Sequence, residues 1–376
     1  MVLAGAVWAP SYKAASELLL ETAGIEVDQS KIEREIVEAG EEALAGQPAR
    51  DARYARPEAV GEVLAERAHE TLVCTVDGTM YLEQEGRRGP KPKTIAASAA
   101  VVEIVPEPPV RTPPPAGPES PAEPARAIEA GEHNPKAAKR PRTHGREVKV
   151  ALVYGLDERT KTADGRPVLL DRRVAASTMG IEQFADRLKA LVCRWGWRQA
   201  KRIAVIGDGA AWIWAWTALH LGEAAFQILD FWHARERLVE LGNTLHGPHT
   251  EEARTFAKER ADRLRNGEAA AVIEDLLESA KKRRGKAREA ILAVATYFQN
   301  NRARMNYREY ERLGLPIGSG SVESLGKSLV QRRMRGPGMR WEPDGAAAVV
   351  ALRELHANAD LDAFWQGDRE RRLAAA

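Results

Sequence analysis

The chain has 376 residues, of which 44% are hydrophobic and 29% charged, a composition that suits a large globular core or one domain carrying insertions. The charges nearly cancel, to a formal net charge of +2, so affinity for a polyanion would have to come from local basic patches. Cys74 and Cys193 are too few for a disulfide framework or a four-cysteine zinc site, and their apolar surroundings favour buried thiols in a reducing cytosol. Since no long uncharged apolar run and no signal-peptide pattern occurs, we expect a soluble, cytoplasmic protein outside the membrane.

The N-terminal region, residues 1–68, carries two helical patterns between Ser11 and about Ala45. A short turn containing Gly24 joins them. A DNA-binding helix-turn-helix and a plain helical hairpin for packing or dimerisation fit this pattern about equally well, so both interpretations stay open.

From residue 69 onward the pattern changes to runs of β-branched and apolar residues, which are typical of strands. The predicted order is strand, strand, strand, helix, strand, helix, strand, helix. A three-stranded meander followed by a crossover helix and further strands is the order of a mixed α/β sheet of the ribonuclease-H-like fold. The five predicted strands are "TLVCTVDGTMYL", "EVKVALVYGL", "RPVLLDRRVAAS", "KRIAVIGD" and "AFQILD".

Two insertions interrupt this predicted core, which we assign to residues 69–247 and 302–376. Residues 86–146 are rich in proline and contain few large apolar side chains, so we expect a disordered insertion there. Residues 248–301 are polar, charged and helical in pattern, which predicts a helical insertion. The last part of the core is expected to hold a helix near "SVES" and a final amphipathic helix.

Two aspartates are candidates for a metal site. Asp77 lies near the end of the first predicted strand and Asp208 ends the fourth, and these strands are adjacent and parallel in the predicted sheet. Two close carboxylates repel and are driven towards protonation unless a cation lies between them, and such hard oxygen ligands suit Mg²⁺ or Mn²⁺. Gly78, Gly207 and Gly209 would leave space for a phosphate backbone. The alternative is that each "DG" is simply a turn.

A third acidic ligand is available in Glu323, near the start of a predicted helix that follows a Gly-Ser loop. Sites with two metal ions commonly use such a third carboxylate. The alternative is a purely structural role, in which Glu323 complements the helix dipole or pairs with Lys327 four residues further on.

Six sequence blocks, taken in order, resemble the conserved blocks of bacterial insertion-sequence transposases of the ISKra group, which are related to the Mutator-like transposases. They span about Leu72 to Ala357, and the ordered set is specific although any single block is weak. The blocks are "VDGTM", "GDGAAWIW", "ILDFWHARERL", "YFQNNRARMNY", "GLPIGSGSVES" and "RRMRGPGMRW".

The resemblance implies a DDE transposase whose ribonuclease-H-like catalytic core is interrupted by an α-helical insertion. Carried over to this chain, the catalytic and metal-ligating residues would be Asp77, Asp208 and Glu323, which would hold two Mg²⁺ or Mn²⁺ ions. The relatives also carry a Cys-or-Asp, two residues, His motif after the fifth strand, matched here by Asp230 and His233. The alternative for this accessory motif is an N-capping aspartate beside a packed histidine.

The expected partner is double-stranded DNA, as transposon ends and as target, bound by a homo-oligomer at the nucleoid. A basic segment beside Glu323 is the first candidate for DNA contact, and "AKKRRGKAR" in the helical insertion is the second. Arginine and lysine would contact phosphates and the tryptophan would stack on a base, although a solvated basic helix face is the alternative. The residues of the first candidate are Lys327, Arg332, Arg333, Arg335, Arg340 and Trp341.

Two other functions stay open. One is a Mg²⁺-dependent nuclease or resolvase of the same fold, which would cleave DNA without strand transfer. The other is a catalytically silent DNA-binding descendant, favoured by the short segment ahead of Asp77. A Rossmann-like dehydrogenase is set aside because no G-x-G-x-x-G pattern follows the first strand.

Overall fold

A five-stranded mixed sheet forms the core of the computed structural model, which describes residues 2–55, 69–84, 143–165 and 167–375. Along the chain the strands are β1 (Thr71–Gln84), β2 (Thr143–Gly155), β3 (Arg159–Lys161), β4 (Pro167–Leu169), β5 (Arg173–Ser177), β6 (Arg202–Gly207) and β7 (Ala225–Leu229). The order in the sheet is β5, β2, β1, β6, β7, and β3 and β4 form a separate hairpin. β2 is antiparallel to both of its neighbours, whereas β1, β6 and β7 are parallel. The predicted α/β class is confirmed.

Helices account for most of the remaining described residues. The helices are α1 (Val2–Trp8), α2 (Tyr12–Ala23), α3 (Gln29–Ala45), α4 (Gln47–Ala55), α5 (Ile181–Arg194), α6 (Ala211–His220), α7 (Phe231–His246), α8 (Glu251–Arg265), α9 (Ala269–Lys281), α10 (Gly285–Asn301), α11 (Tyr307–Arg312), α12 (Gly320–Gly326), α13 (Arg332–Met334), α14 (Pro343–Ala357) and α15 (Leu361–Ala375). A π-helical turn, Lys327–Gln331, links α12 to α13. Within the described ranges, no helix is both long and apolar enough to span a bilayer.

β1 is the middle strand, and its sequence explains that position. Residues 71–76 are all buried, as expected for the apolar run of a strand covered on both faces. Past this run, buried Thr79 and Tyr81 alternate with exposed Met80 and Leu82, so one face of β1 becomes accessible. Because β1 continues to Gln84, the prediction that Asp77 lies near its end is corrected.

The N-terminal helices pack against the C-terminal part of the chain. α3 lies on α14 so closely that a Cβ on Gly40 would be 2.5 Å from the Cβ of Ala348. The turn between α2 and α3 uses Gly24 in the left-handed region, with φ of 63°. α3 therefore has the packing role that the sequence left as one of two alternatives, and recognition of DNA by its exposed face stays a prediction.

Two sequence assignments need correction. The predicted disordered insertion, residues 86–146, lies outside the described residues as far as residue 142, but residues 143–146 belong to β2. The segment "RPVLLDRRVAAS" is not one strand, because the polar residues Asp171 and Arg172 separate β4 from β5 and only β5 joins the main sheet.

Candidate functional site

A cavity of about 440 Å³ lies between β1, the first three turns of α7, and α12 with its π-helical turn. β1 contributes Asp77, and α12 contributes Glu323. Asp230 and His233, at the start of α7, line the same cavity. The structure therefore brings residues from three distant parts of the sequence to one place.

The register of the sheet places two of the predicted acids level with each other. The last pair between the parallel strands β1 and β6 is Thr75 with Ile206. Asp77 and Asp208 each lie two residues beyond that pair. Asp208 is absent from the described cavity lining, yet its carboxylate acts on Asp77 electrostatically.

The protonation of Asp77 reflects these surroundings. Burial raises the pKa of Asp77 above its ordinary value, and the neighbouring carboxylates of Asp208 and Asp230 raise it further. The Gly78 N–H, which donates to Oδ1 of Asp77 at 2.7 Å, and His233 act in the opposite direction. A cation beside Asp77 would relieve the repulsion between these carboxylates.

A third aspartate lies level with the first two. The register between β6 and β7 ends at Gly207 with Leu229, so Asp208 and Asp230 are the first residues after their strands. Asp230 caps α7, because its Oδ1 accepts from the backbone N–H of Trp232 at 2.6 Å and of the following residue at 3.2 Å. This is the capping role that the sequence gave as the alternative.

Asp230 also fixes the loop that precedes α12. Its Oδ2 accepts from the backbone N–H of Ser319 at 2.7 Å and from the Ser319 hydroxyl. Burial opposes the ionisation of Asp230, but His233 and Ser319 outweigh burial and lower its pKa. The accessory motif thus connects the start of α7 to the segment that carries Glu323.

His233 is a cation within this acidic site. Its Nδ1 lies 3.5 Å from Oδ2 of Asp230, which raises the pKa of His233 to about 9 against the opposing effect of burial. Asp77 and Asp208 raise this pKa further. His233 is therefore protonated at neutral pH and offsets part of the negative charge of the aspartates.

Glu323 lies in the first turn of α12, exposed to the cavity. Its Oε1 lies 2.6 Å from Nζ of Lys327, four residues further on. This is the ion pair that the sequence offered as the structural alternative. Asp77 and Glu323 share one cavity, but Glu323 is engaged with a lysine.

The glycines beside the aspartates make room for protein side chains. A Cβ on Gly78 would clash with the carboxylate of Glu147, and a Cβ on Gly207 would lie 2.8 Å from Cδ1 of a neighbouring isoleucine. Gly209 has φ of 98°, and a Cβ there would lie 2.9 Å from Cε2 of Tyr297. The prediction that these glycines leave space for a phosphate backbone is corrected, since side chains already occupy that space.

The six predicted DNA-contacting residues after Glu323 fall into an exposed group and a buried pair. Lys327, Arg332, Arg335 and Arg340 are exposed; Lys327 pairs with Glu323, whereas the three arginines present their charge to solvent, where a phosphate could bind. Arg333 and Trp341 are 3% and 8% exposed, which contradicts the prediction that they contact DNA.

Arg333 and Trp341 are buried because the chain after α13 returns to β1. The backbone N–H of Gln84 donates to the carbonyl of Trp341 at 2.8 Å, which holds the indole against the sheet. The Arg333 guanidinium lies 4.8 Å from the Trp341 ring centroid and 4.3 Å from that of Tyr12. Both residues stabilise the fold.

Sequence reasoning missed a second set of residues in the cavity. Trp232, Arg235, Glu236 and Val239 line it from α7. Their spacing of three, four and seven residues from Trp232 places them on one helical face. This helical spacing directly after a capping aspartate was the signal in the sequence that could have identified the set. The spacing predicts a shared helical face, but it does not predict which part of the fold that face contacts.

A divalent cation fits the site in the chemistry of its donors. Asp77, Asp208 and Glu323 offer carboxylate oxygens, the ligands that Mg²⁺ and Mn²⁺ prefer. However, no three His, Cys, Asp or Glu side chains of the described residues are grouped so that they could hold an ion. To bind a cation, the Glu323 carboxylate would have to give up its ion pair with Lys327.

Comparisons with known proteins do not identify the site. No protein-family model matches the chain, and no curated protein matches its sequence. The function of the site must therefore be inferred from its own geometry and chemistry, together with the sequence blocks.

Proposed function

We propose that the protein is a DDE transposase of the ISKra group of insertion sequences, which cleaves double-stranded DNA at the transposon ends and joins it to a target. The observation that carries this proposal is that Asp77 on β1 is level with Asp208, which directly follows the adjacent parallel strand β6, and that Glu323 lines the same cavity as Asp77. In this proposal the protein acts as a homo-oligomer on DNA in the bacterial cytoplasm.

The order of strands supports a ribonuclease-H-like core. A meander of β1, β2 and β5 lies on one side of the sheet, and β6 and β7 follow in parallel on the other side of β1. α8, α9 and α10 lie in the chain between β7 and the helix of Glu323, where the family has its helical insertion.

The proposed chemistry is phosphoryl transfer at one site. Divalent ions held by Asp77, Asp208 and Glu323 would activate the attacking oxygen and stabilise the leaving oxygen of an in-line displacement at phosphorus. Protonated His233 donates to a phosphate oxygen at the cavity wall. When Glu323 binds a cation, Lys327 is released from it and pairs with a phosphate of the DNA instead. This pair is a charge-assisted contact.

Three neutral substitutions test the proposal. Asp77→Asn, Asp208→Asn and Glu323→Gln should each abolish Mg²⁺-dependent cleavage of DNA carrying the element's ends, with an unchanged circular dichroism spectrum. Glu236→Gln is the matched control, because this carboxylate lines the same cavity but is not a proposed ligand. Full cleavage by any one of the three variants would remove that residue from the catalytic set.

The reaction products distinguish the proposed transposase from two related functions. A nuclease or resolvase would cleave the same DNA but give no strand-transfer product from a 3′-hydroxyl donor. A silent DNA-binding descendant, which the Glu323 and Lys327 ion pair favours, would bind DNA without Mg²⁺-dependent cleavage.

A further inference from the structure

Trp232 is the only exposed tryptophan in the described part of the chain, with 54% of its surface accessible. It lines the cavity that Asp77 and Glu323 share. Indole rings are usually packed against other groups, because their large apolar faces are poorly hydrated. An accessible indole beside the proposed catalytic acids therefore suggests a flat, apolar ligand.

The indole is held in one position before any ligand arrives. The backbone N–H of Trp232 donates to the capping aspartate of α7 at 2.6 Å, which fixes the start of the helix. Its ring packs edge to face on Phe231, with centroids 5.4 Å apart. A Cβ on Gly318 would lie 2.6 Å from the indole Cδ1 and Nε1, so the missing side chain there allows this position.

The charges around the indole indicate what kind of ring it would meet. The Arg235 guanidinium lies 5.7 Å from the Trp232 ring centroid, and both side chains are exposed on the cavity wall. Lys327 lines the same cavity. An aromatic face next to the Arg235 guanidinium complements a nucleobase with its phosphate, whereas an apolar peptide would desolvate this guanidinium without giving it a partner.

We propose that Trp232 stacks on an unpaired nucleobase of the DNA strand at the active site, while Arg235 pairs with an adjacent phosphate. This rests on the proposed function, because the phosphodiester at the acids brings the base to the indole. Trp232 is thus a binding residue for the strand, and it fixes which phosphodiester reaches the acids.

Fluorescence of 2-aminopurine tests the stacking. Forked DNA duplexes carry the fluorescent base at successive positions of a single-stranded arm, and Ca²⁺ replaces Mg²⁺ to prevent cleavage. The wild-type protein should quench one position, Trp232→Ala should abolish the quenching, and Trp232→Phe should retain part of it. Leu219→Ala, at a side chain 77% exposed on α6, is the control and should behave as wild type.

Affinity for the same DNA gives a second measurement. Trp232→Ala should weaken binding roughly 5- to 150-fold, the range for loss of one base stacked on an aromatic ring. An abasic residue at the quenched position should remove the difference between wild type and Trp232→Ala, because the stacking partner is gone. Gly318→Ala, which displaces the indole, should weaken binding of intact DNA but add nothing to Trp232→Ala.

The outcomes separate this inference from the proposed function. Quenching retained in Trp232→Ala, or an affinity difference that persists on abasic DNA, overturns the stacking role even when Asp77→Asn abolishes cleavage. A wild-type protein that neither binds the forked DNA nor cleaves the element's ends overturns both. Position-specific quenching that depends on Trp232 supports the inference.

Discussion

Arg353 of α14 holds the π-helical turn that follows the helix of Glu323, and its removal should destabilise the protein strongly. The side chain is 1% exposed. Its Nε donates to the carbonyl of Leu329 at 2.6 Å and its Nη2 to that of Ser328 at 2.7 Å, while Nη1 donates to the carbonyl of Val7. One buried guanidinium thus joins the π-helical turn, α14 and α1.

The expected magnitude follows from the three carbonyls. A carbonyl that loses its donor costs about 1 to 3 kcal/mol when buried and less when partly buried, as the Ser328 carbonyl is, which gives roughly 2 to 8 kcal/mol before relaxation. Part of this is offset, because burial lowers the pKa of Arg353 to about 10 and so already disfavours its charged form. We expect Arg353→Met to reduce the free energy of unfolding by about 2 to 4 kcal/mol, because the carbonyls left behind are neutral and can be partly rehydrated. Arg353→Lys keeps the positive charge but has fewer N–H donors, so this variant should lose less free energy of unfolding than Arg353→Met.

Urea unfolding followed by circular dichroism measures this loss from the midpoint and slope of the transition. Arg254→Met is the control, because this arginine of α8 is exposed and pairs only with Glu251 in the described chain, an interaction worth less than about 1 kcal/mol. If Arg353→Met loses less than about 1 kcal/mol, the three carbonyls have found other donors and Arg353 does not stabilise the π-helical turn as described.

Three further outcomes are expected. The pKa of His233 is raised to about 9 from 6.5, so its ion pair stabilises the fold fully below about pH 6.5 and is lost as the pH rises through about 9. Stability measured from pH 6 to 10 should show this decline in the wild type and not in His233→Gln. Gly209→Ala should cost about 1 to 3 kcal/mol in thermal unfolding, because its φ is 98° and the new Cβ would press on Tyr297; an unchanged midpoint would contradict this. Replacing Arg332 and Arg335 together with alanine should lower the slope of log affinity for end DNA against log salt by roughly 2, and an equal slope would exclude this patch.

Much of the sheet could be predicted from the sequence because its strands are short apolar runs bounded by polar turns. The apolar runs that end at Val76 and Gly207 form buried strand segments where the sequence predicted strands. That these strands are adjacent and parallel was expected from the predicted strand order, but the residue-by-residue pairing that places the two aspartates level with each other comes only from the structure. The predicted first strand already ran to Leu82, two residues short of the end of β1, so its length was nearly right although Asp77 was described as lying near its end.

The environments of individual side chains were harder to predict. Each of two tryptophans has a basic neighbour in the sequence, since Trp341 follows Arg340 and Trp232 precedes His233. Trp341 is nevertheless buried against β1, whereas Trp232 is exposed at the cavity. This difference depends on the return of the chain after α13, a tertiary contact without a local signal. The ion pair of Glu323 with Lys327, by contrast, follows from their spacing of four residues.

The convergence of Asp77, Asp208 and Glu323 on shared divalent ions can be tested most directly by a crystal structure with Mn²⁺ and end DNA, using anomalous scattering. We expect two manganese peaks about 3.5 to 4 Å apart, with oxygens of all three carboxylates coordinating them and Lys327 released from Glu323. Manganese found away from Asp77 and Asp208, or Glu323 still paired with Lys327 while both ions are bound, would rule out this metal site.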